Sequence, residues 1–175
     1  MDKGRPLIVN LAKGRLGADT ANVVGGLIVS TIAHAALSRE SLAEHDRRPY
    51  FLFVDECHSF TTESLADMLS ELRKYGLGLV LTTQHGSQLD ESVRDSVFGN
   101  VGTIVAFRVG AHDAPLLVKQ FGDETLRAKD LVNLGNYEVF VRLMIDGRQC
   151  KPFSARTLSD RPETGARVPP ESVSA

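Results

Sequence analysis

Phe51-Leu52-Phe53-Val54-Asp55-Glu56 is an apolar run that stops abruptly at two adjacent carboxylates. Four apolar residues in a row, rich in aromatic and β-branched side chains and without alternation, predict a strand buried on both faces. Such a strand delivers Asp55 and Glu56 to the carboxyl edge of the sheet, where α/β ligands bind. In phosphoryl-transfer sites the first acid of such a pair holds the Mg²⁺ hydration shell, and the second polarises the attacking water. The same residues also read as a strand that exits into an acidic loop.

Three further runs share this pattern: residues 7–11, Leu77–Leu81 and residues 103–107. Helical periodicity lies between them. Asp19 or Thr20 caps a helix to about Ser38, with Val24, Leu27, Ile28, Ile32 and Ala35 on one face. Its Gly25-Gly26 pair predicts close packing against a neighbour. Thr61 or Thr62 begins a second helix, carrying Leu65, Met68, Leu69 and Leu72 and ending at Gly76. Shorter helices are expected over residues 91–98 and 113–121. Strand alternating with helix predicts an α/β fold, a parallel sheet covered by helices on both faces. Asp146-Gly147, flanked by residues 137–145 and 148–153, predicts a C-terminal β-hairpin. One domain over residues 1–158 is expected, followed by a disordered tail over 159–175, rich in Pro, Glu, Ser and Arg.

Leu79-Val80-Leu81-Thr82-Thr83-Gln84 repeats the strand-then-polar pattern one helix later. Parallel neighbours bring their carboxyl ends to one edge, so Gln84 can stand beside Asp55 and Glu56. A Gln there can hydrogen-bond a γ-phosphate or its attacking water, or simply cap the next turn. Arg73 closes the preceding helix, where a cation is favourable beside the helix dipole; alternatively it is an arginine finger for a neighbouring subunit.

Asp55-Glu56, then Arg73-Lys74-Tyr75-Gly76-Leu77-Gly78-Leu79, then Thr82-Thr83-Gln84, in that order, resemble the HerA–FtsK superfamily of DNA-pumping ATPases. The similarity is greatest to conjugative coupling proteins of type IV secretion and to HerA-like helicases. It extends over residues 5–121, through Val9 to Gly17, Ala36 to Arg39, and Phe107-Arg108-Val109-Gly110. The resemblance implies a RecA-like P-loop NTPase core working as a cytoplasmic homo-hexamer that spends ATP with Mg²⁺ to move double-stranded DNA. It makes Asp55 the Mg²⁺-shell ligand in the Walker B strand, Glu56 the catalytic base and Gln84 the γ-phosphate sensor. Arg73 becomes the finger acting in trans, and Arg108 a second arginine reaching toward the site. One element is missing: the chain contains no Gly-x-x-x-x-Gly-Lys-[Ser/Thr] loop, the Walker A cradle. Ala12-Lys13-Gly14-Arg15 has the order reversed. The chain is therefore expected to be the C-terminal part of such an ATPase, inactive alone.

Other readings are weaker. Asp55-Glu56-Cys57-His58 spells the box of DExH-type helicases, but neither their third motif nor their second domain follows. A metal hydrolase would recruit Asp55, Glu56 and His58 with His85, His112 or Asp113, without a ligand spacing such as His-x-x-x-His. Cys57 reads as a packed thiol, and His34 and His45 as ordinary helix or loop residues. A non-catalytic module that binds DNA or a partner could use Arg142, Arg148, Lys151 and Arg156 on the hairpin, which otherwise form a solvated charged edge. With a net charge of −2 on 175 residues, 42% of them hydrophobic, DNA contact needs a local patch. Two cysteines fit a reducing compartment. The apolar stretch over residues 23–37, broken by Gly, Ser, Thr and His, is expected to fall short of a membrane span.

Overall fold

The computed structural model describes residues 1, 3–60 and 71–158, arranged as two compact units, Met1–Val101 and Gly102–Ala175. The expected tail over 159–175 and most of the helix after Thr61 lie outside the described residues.

The first unit contains α1 (Lys13–Leu16), α2 (Ala18–Leu37), β1 (Tyr50–Val54), β2 (Leu77–Leu81) and α3 (Glu91–Asn100), joined by short 3₁₀ turns. β1 and β2 pair in parallel, with Tyr50 opposite Leu77 and Val54 opposite Leu81. Their core joins Val54, Leu72 and Leu77 to Val29, Ala33 and Ala36 of α2 and to Val93 and Val97 of α3. The predicted end of the second helix is present as the turn Arg73–Tyr75, closed by Gly76 in the left-handed conformation at φ 76°.

α2 corrects three expectations. Gly17, at φ 80°, precedes its first residue, and neither Asp19 nor Thr20 caps it. It buries Ala21, Gly25, Val29, Ala33 and Ala36 rather than the larger apolar set, and leaves Leu27 64% exposed. Small side chains let the helix approach its neighbours closely, and that gain in contact outweighs the loss of bulk. A Cβ on Gly25 would lie 2.3 Å from the Phe60 ring, whereas Gly26 faces open space. Continuous through both glycines, Ala18–Ser41 is long and apolar enough to cross a membrane by length and composition (24 residues, mean hydropathy 1.5). In this fold its small-residue stripe is part of the core instead.

Residues 7–11 do not form the expected strand. β1 has β2 as its partner among the described strands, and Leu7, Ile8 and Val9 remain 63%, 92% and 43% exposed. Strand propensity without a ladder to join does not make a strand.

The second unit contains β3 (Ile104–Ala106), α4 (Ala114–Phe121), α5 (Ala128–Val132), β4 (Glu138–Arg142), β5 (Met144–Ile145), β6 (Arg148–Gln149) and β7 (Phe153–Arg156). Its main sheet runs β3-β4-β7 and is antiparallel throughout. β3, expected as a further parallel strand, instead pairs Ile104 with Arg142 and Ala106 with Phe140. The β5–β6 hairpin turns on Asp146 (φ 48°) and Gly147 (φ 74°), the positive-φ pair that the Asp-Gly signal predicts. Phe121 and Phe140 meet edge to face at 6.4 Å in its core. Arg142 is buried, donating its guanidinium to the Gln120 carbonyl at the end of α4, so it cannot join an exposed basic edge. Arg148, Lys151 and Arg156 are exposed.

Candidate active site

The carboxyl ends of β1 and β2 are tied together one residue beyond the strands. The Thr82 amide donates to the Val54 carbonyl at 3.0 Å, and the Cys57 amide donates to the Thr82 carbonyl at 2.9 Å. The Thr82 hydroxyl donates to Asp55 Oδ1 at 2.5 Å, and the Glu56 amide donates to the same oxygen at 3.1 Å. Asp55 thus has one carboxylate oxygen engaged from two sides. Glu56 leaves the strand in the left-handed conformation, φ 50° and ψ 51°. A non-glycine residue held there typically costs about 1–3 kcal/mol, and such strain concentrates at functional sites. The Glu56 carboxylate lies 3.4 Å from His58 Nδ1, close enough for an ion pair but without hydrogen-bond alignment.

Asp55, Glu56, His58 and Gln84 line one cleft of about 1110 Å³, whose apolar wall includes Ile28, Ile32 and Phe53. Residues 7–11 line the same cleft and lead towards Lys13, whose ammonium donates to Ser59 Oγ at 2.9 Å. Cys57 faces the core, 2% exposed, and burial pushes its thiol up to about 11. It therefore stays protonated near neutral pH and is a poor nucleophile.

The fold brings three of the expected site residues together and holds Arg73 apart. Arg73 sits in the turn that enters β2, at the amino end of the strand, whereas Gln84 follows its carboxyl end. Five strand residues separate these ends by roughly 16 Å. Arg108 is exposed in the second unit, just after β3. Thr82 and His58 are named in the motifs, but not as partners of Asp55 and Glu56 in this cleft. A signal for Thr82 existed: with Val54 opposite Leu81 in a parallel pair, the next residues in register are Asp55 and Thr82.

The donor set fits one end of a nucleotide site. An anchored carboxylate, a second carboxylate and an amide at the ends of adjacent parallel strands suit a hydrated Mg²⁺ and an attacking water. No comparable phosphate cradle exists in the sequence. Among the described residues no group of three or more His, Cys, Asp or Glu is placed to hold a metal directly, so the metal-hydrolase reading has no ligand set.

Solved structures share this fold. The chain is similar to the genome packaging NTPase B204 from Sulfolobus turreted icosahedral virus 2 in complex with AMPPCP: TM-score 0.52, 17% identity, 75% of this chain and 62% of that one. It is also similar to VirB4 of Thermoanaerobacter pseudethanolicus, with TM-score 0.59, 16% identity, 78% of this chain and 37% of that one. The chain therefore spans less than two thirds of either protein. Comparison with curated protein sequences returns no match. The chain belongs to the family of type IV secretion-system coupling protein DNA-binding domains, whose profile matches residues 17–138, and with it to the HerA–FtsK-like P-loop ATPases.

Proposed function

We propose that this chain supplies the metal-and-water end of the nucleotide site in an ATP-driven, DNA-translocating motor of the coupling-protein class. The observation that carries the reading is the joint placement of Asp55, Glu56 and Gln84 on one cleft, at the carboxyl ends of two parallel strands. The RecA-like core belongs to the same proposal, supported by the parallel β1–β2 pair with α2 packed into its core and by the likeness to NTPase structures.

ATP with Mg²⁺, when bound, supplies the phosphoryl group to be transferred and the cation that offsets its charge. Asp55 would hold the cation through its hydration shell, using the oxygen that Thr82 and the Glu56 amide leave free. Glu56 accepts a proton from water, and the Gln84 amide orients that water. Arg73, at the opposite end of β2 from Gln84, suits a nucleotide held by another copy, which makes a ring the fitting assembly. Arg108 remains a candidate second arginine. The phosphate grip must come from residues outside this sequence, so the chain alone binds nucleotide weakly and does not turn it over. A motor that spends ATP and moves DNA fits the cytoplasm.

Glu56→Gln tests the assignment in a complete protein that joins this chain to a phosphate-binding loop. Hydrolysis is abolished while nucleotide binding is spared; retained turnover removes Glu56 from the role of base.

A further inference from the structure

The amino ends of β1 and β2, at the other end of the strands from Asp55 and Gln84, gather positive charge on a chain whose net charge is −2. The two segments entering the strands are locked side by side. The Tyr50 amide donates to the Gly76 carbonyl at 2.9 Å, and Arg47 Nη1 donates to the Lys74 carbonyl at 2.6 Å. The Arg47 guanidinium also lies 5.3 Å from the centre of the Tyr75 ring. Arg39 Nη1 bridges the segments, donating to the carbonyls of Arg48 and Tyr75 at 3.1 Å each. The N-terminal turn joins them: a Cβ on Gly4, between Lys3 and Arg5 in sequence, would lie 2.3 Å from Arg48 Nη1.

These cations divide into two sets. Arg39 and Arg47 are spent on backbone carbonyls and build the platform. Apart from Arg73, which the nucleotide reading uses, Lys3, Arg5, Arg48 and Lys74 are exposed, and among the described residues none has a carboxylate within 4.0 Å. The acids nearest in sequence are Asp2, Glu40, Glu44, Asp46 and Glu71, five against the seven Lys and Arg of the same segments, and Asp46 faces His45 at 3.6 Å. An ordinary solvated surface intersperses the two signs. Here a pre-built platform presents guanidinium and ammonium groups together, without a carboxylate partner among the described residues, and guanidinium forks match phosphate oxygens.

We infer that this end of the β1–β2 pair, with Arg48 and Lys74 at its centre, is the surface on which the chain holds the phosphate backbone of duplex DNA. The inference rests on the DNA-handling reading above and adds a location to it, at the far end of the strands from Asp55 and Gln84 and in place of the hairpin patch over Arg148 and Lys151. Contact through phosphates alone is sequence-independent and steeply salt-dependent.

Fluorescence anisotropy of a short labelled duplex of mixed sequence, titrated with the 175-residue chain over a series of KCl concentrations, tests it. Arg48→Gln with Lys74→Gln should lower the slope of log K against log[salt] by about 1.8, at about 0.9 per lost phosphate contact, and weaken low-salt binding on the order of tenfold. Arg48→Lys with Lys74→Arg, which keeps both charges, should bind within about twofold of the parent, separating charge from folding. Arg148→Gln with Lys151→Gln should leave the slope unchanged. A parent chain that binds while the central pair proves neutral, or while the hairpin pair carries the loss, overturns the location. A parent chain that binds no duplex overturns the DNA-handling reading, and the surface with it. Vesicles of phosphatidylcholine with and without phosphatidylglycerol form the last arm. Binding to the anionic vesicles that Arg48→Gln with Lys74→Gln abolishes, with duplex binding intact, would make this a lipid surface and overturn the proposal.

Discussion

Thr82→Val removes one hydroxyl and little else: the replacement is β-branched and nearly isosteric, so strand propensity is kept. The two backbone bonds of Thr82, to Val54 and from Cys57, survive the change. What disappears is the 2.5 Å hydrogen bond to Asp55 Oδ1. A hydrogen bond to a charged group contributes about 1.5–3 kcal/mol net. Asp55 is exposed, so water replaces part of that, and about 1 kcal/mol is the expected loss. Global unfolding is a poor assay in a chain of two units, so the loss is best read locally. Amide exchange at Cys57, measured by NMR, reports the opening of the linkage itself, and 1 kcal/mol corresponds to about fivefold faster exchange. Thr82→Ser keeps the donor and should stay within about twofold. A double-mutant cycle with Asp55→Ala should return a coupling of about 1 kcal/mol. Coupling near zero, or a serine variant as labile as the valine variant, would refute the idea that the hydroxyl anchors the carboxylate.

Two further outcomes are expected. Gly25→Ala forces a methyl into the Phe60 ring and should cost about 1–3 kcal/mol, whereas Gly26→Ala meets nothing within 4 Å and should stabilise α2 by about 0.5–1 kcal/mol; chemical denaturation that ranks the pair the other way contradicts the packing. Asp123 has its carboxyl held below the ordinary value of 3.8, first by the Thr125 hydroxyl and then by the Thr125 amide. Its contribution to stability is therefore present above 3.8 and fades as pH falls through the lower folded value. Thr125→Val should raise the Asp123 midpoint in an NMR titration, and an unmoved midpoint would exclude the hydroxyl as the cause.

Much of the framework was legible in the sequence because its signals are local. The apolar runs at β1 and β2, the Asp146-Gly147 turn and Gly76 each encode their conformation within a few residues. Pairing is not local, and there sequence reading failed. Residues 7–11 have the composition of a strand but no ladder, and β3 has the composition of a parallel strand but an antiparallel partner. In α2, periodicity marked the large residues, while close approach to Phe60 selects the small ones. Arg142 looked like surface charge because its partner, a helix-end carbonyl 22 residues away, is invisible to spacing. For the candidate site, the strand-end rule placed Asp55, Glu56 and Gln84 on one edge. The left-handed turn at Glu56, the His58 contact and the Thr82 anchor are three-dimensional facts with only a faint trace in the register.

The central claim is that the cleft beyond β1 and β2 is the metal-and-water end of a nucleotide site. Paramagnetic broadening by Mn²⁺ with AMPPCP, followed in the ¹⁵N spectrum of the chain, tests it directly and registers weak binding. The account predicts selective broadening of the amides of Asp55, Glu56 and Gln84, absent with Mn²⁺ alone at the same concentration and lost in Asp55→Ala. Broadening centred elsewhere, or indifferent to Asp55, would contradict it.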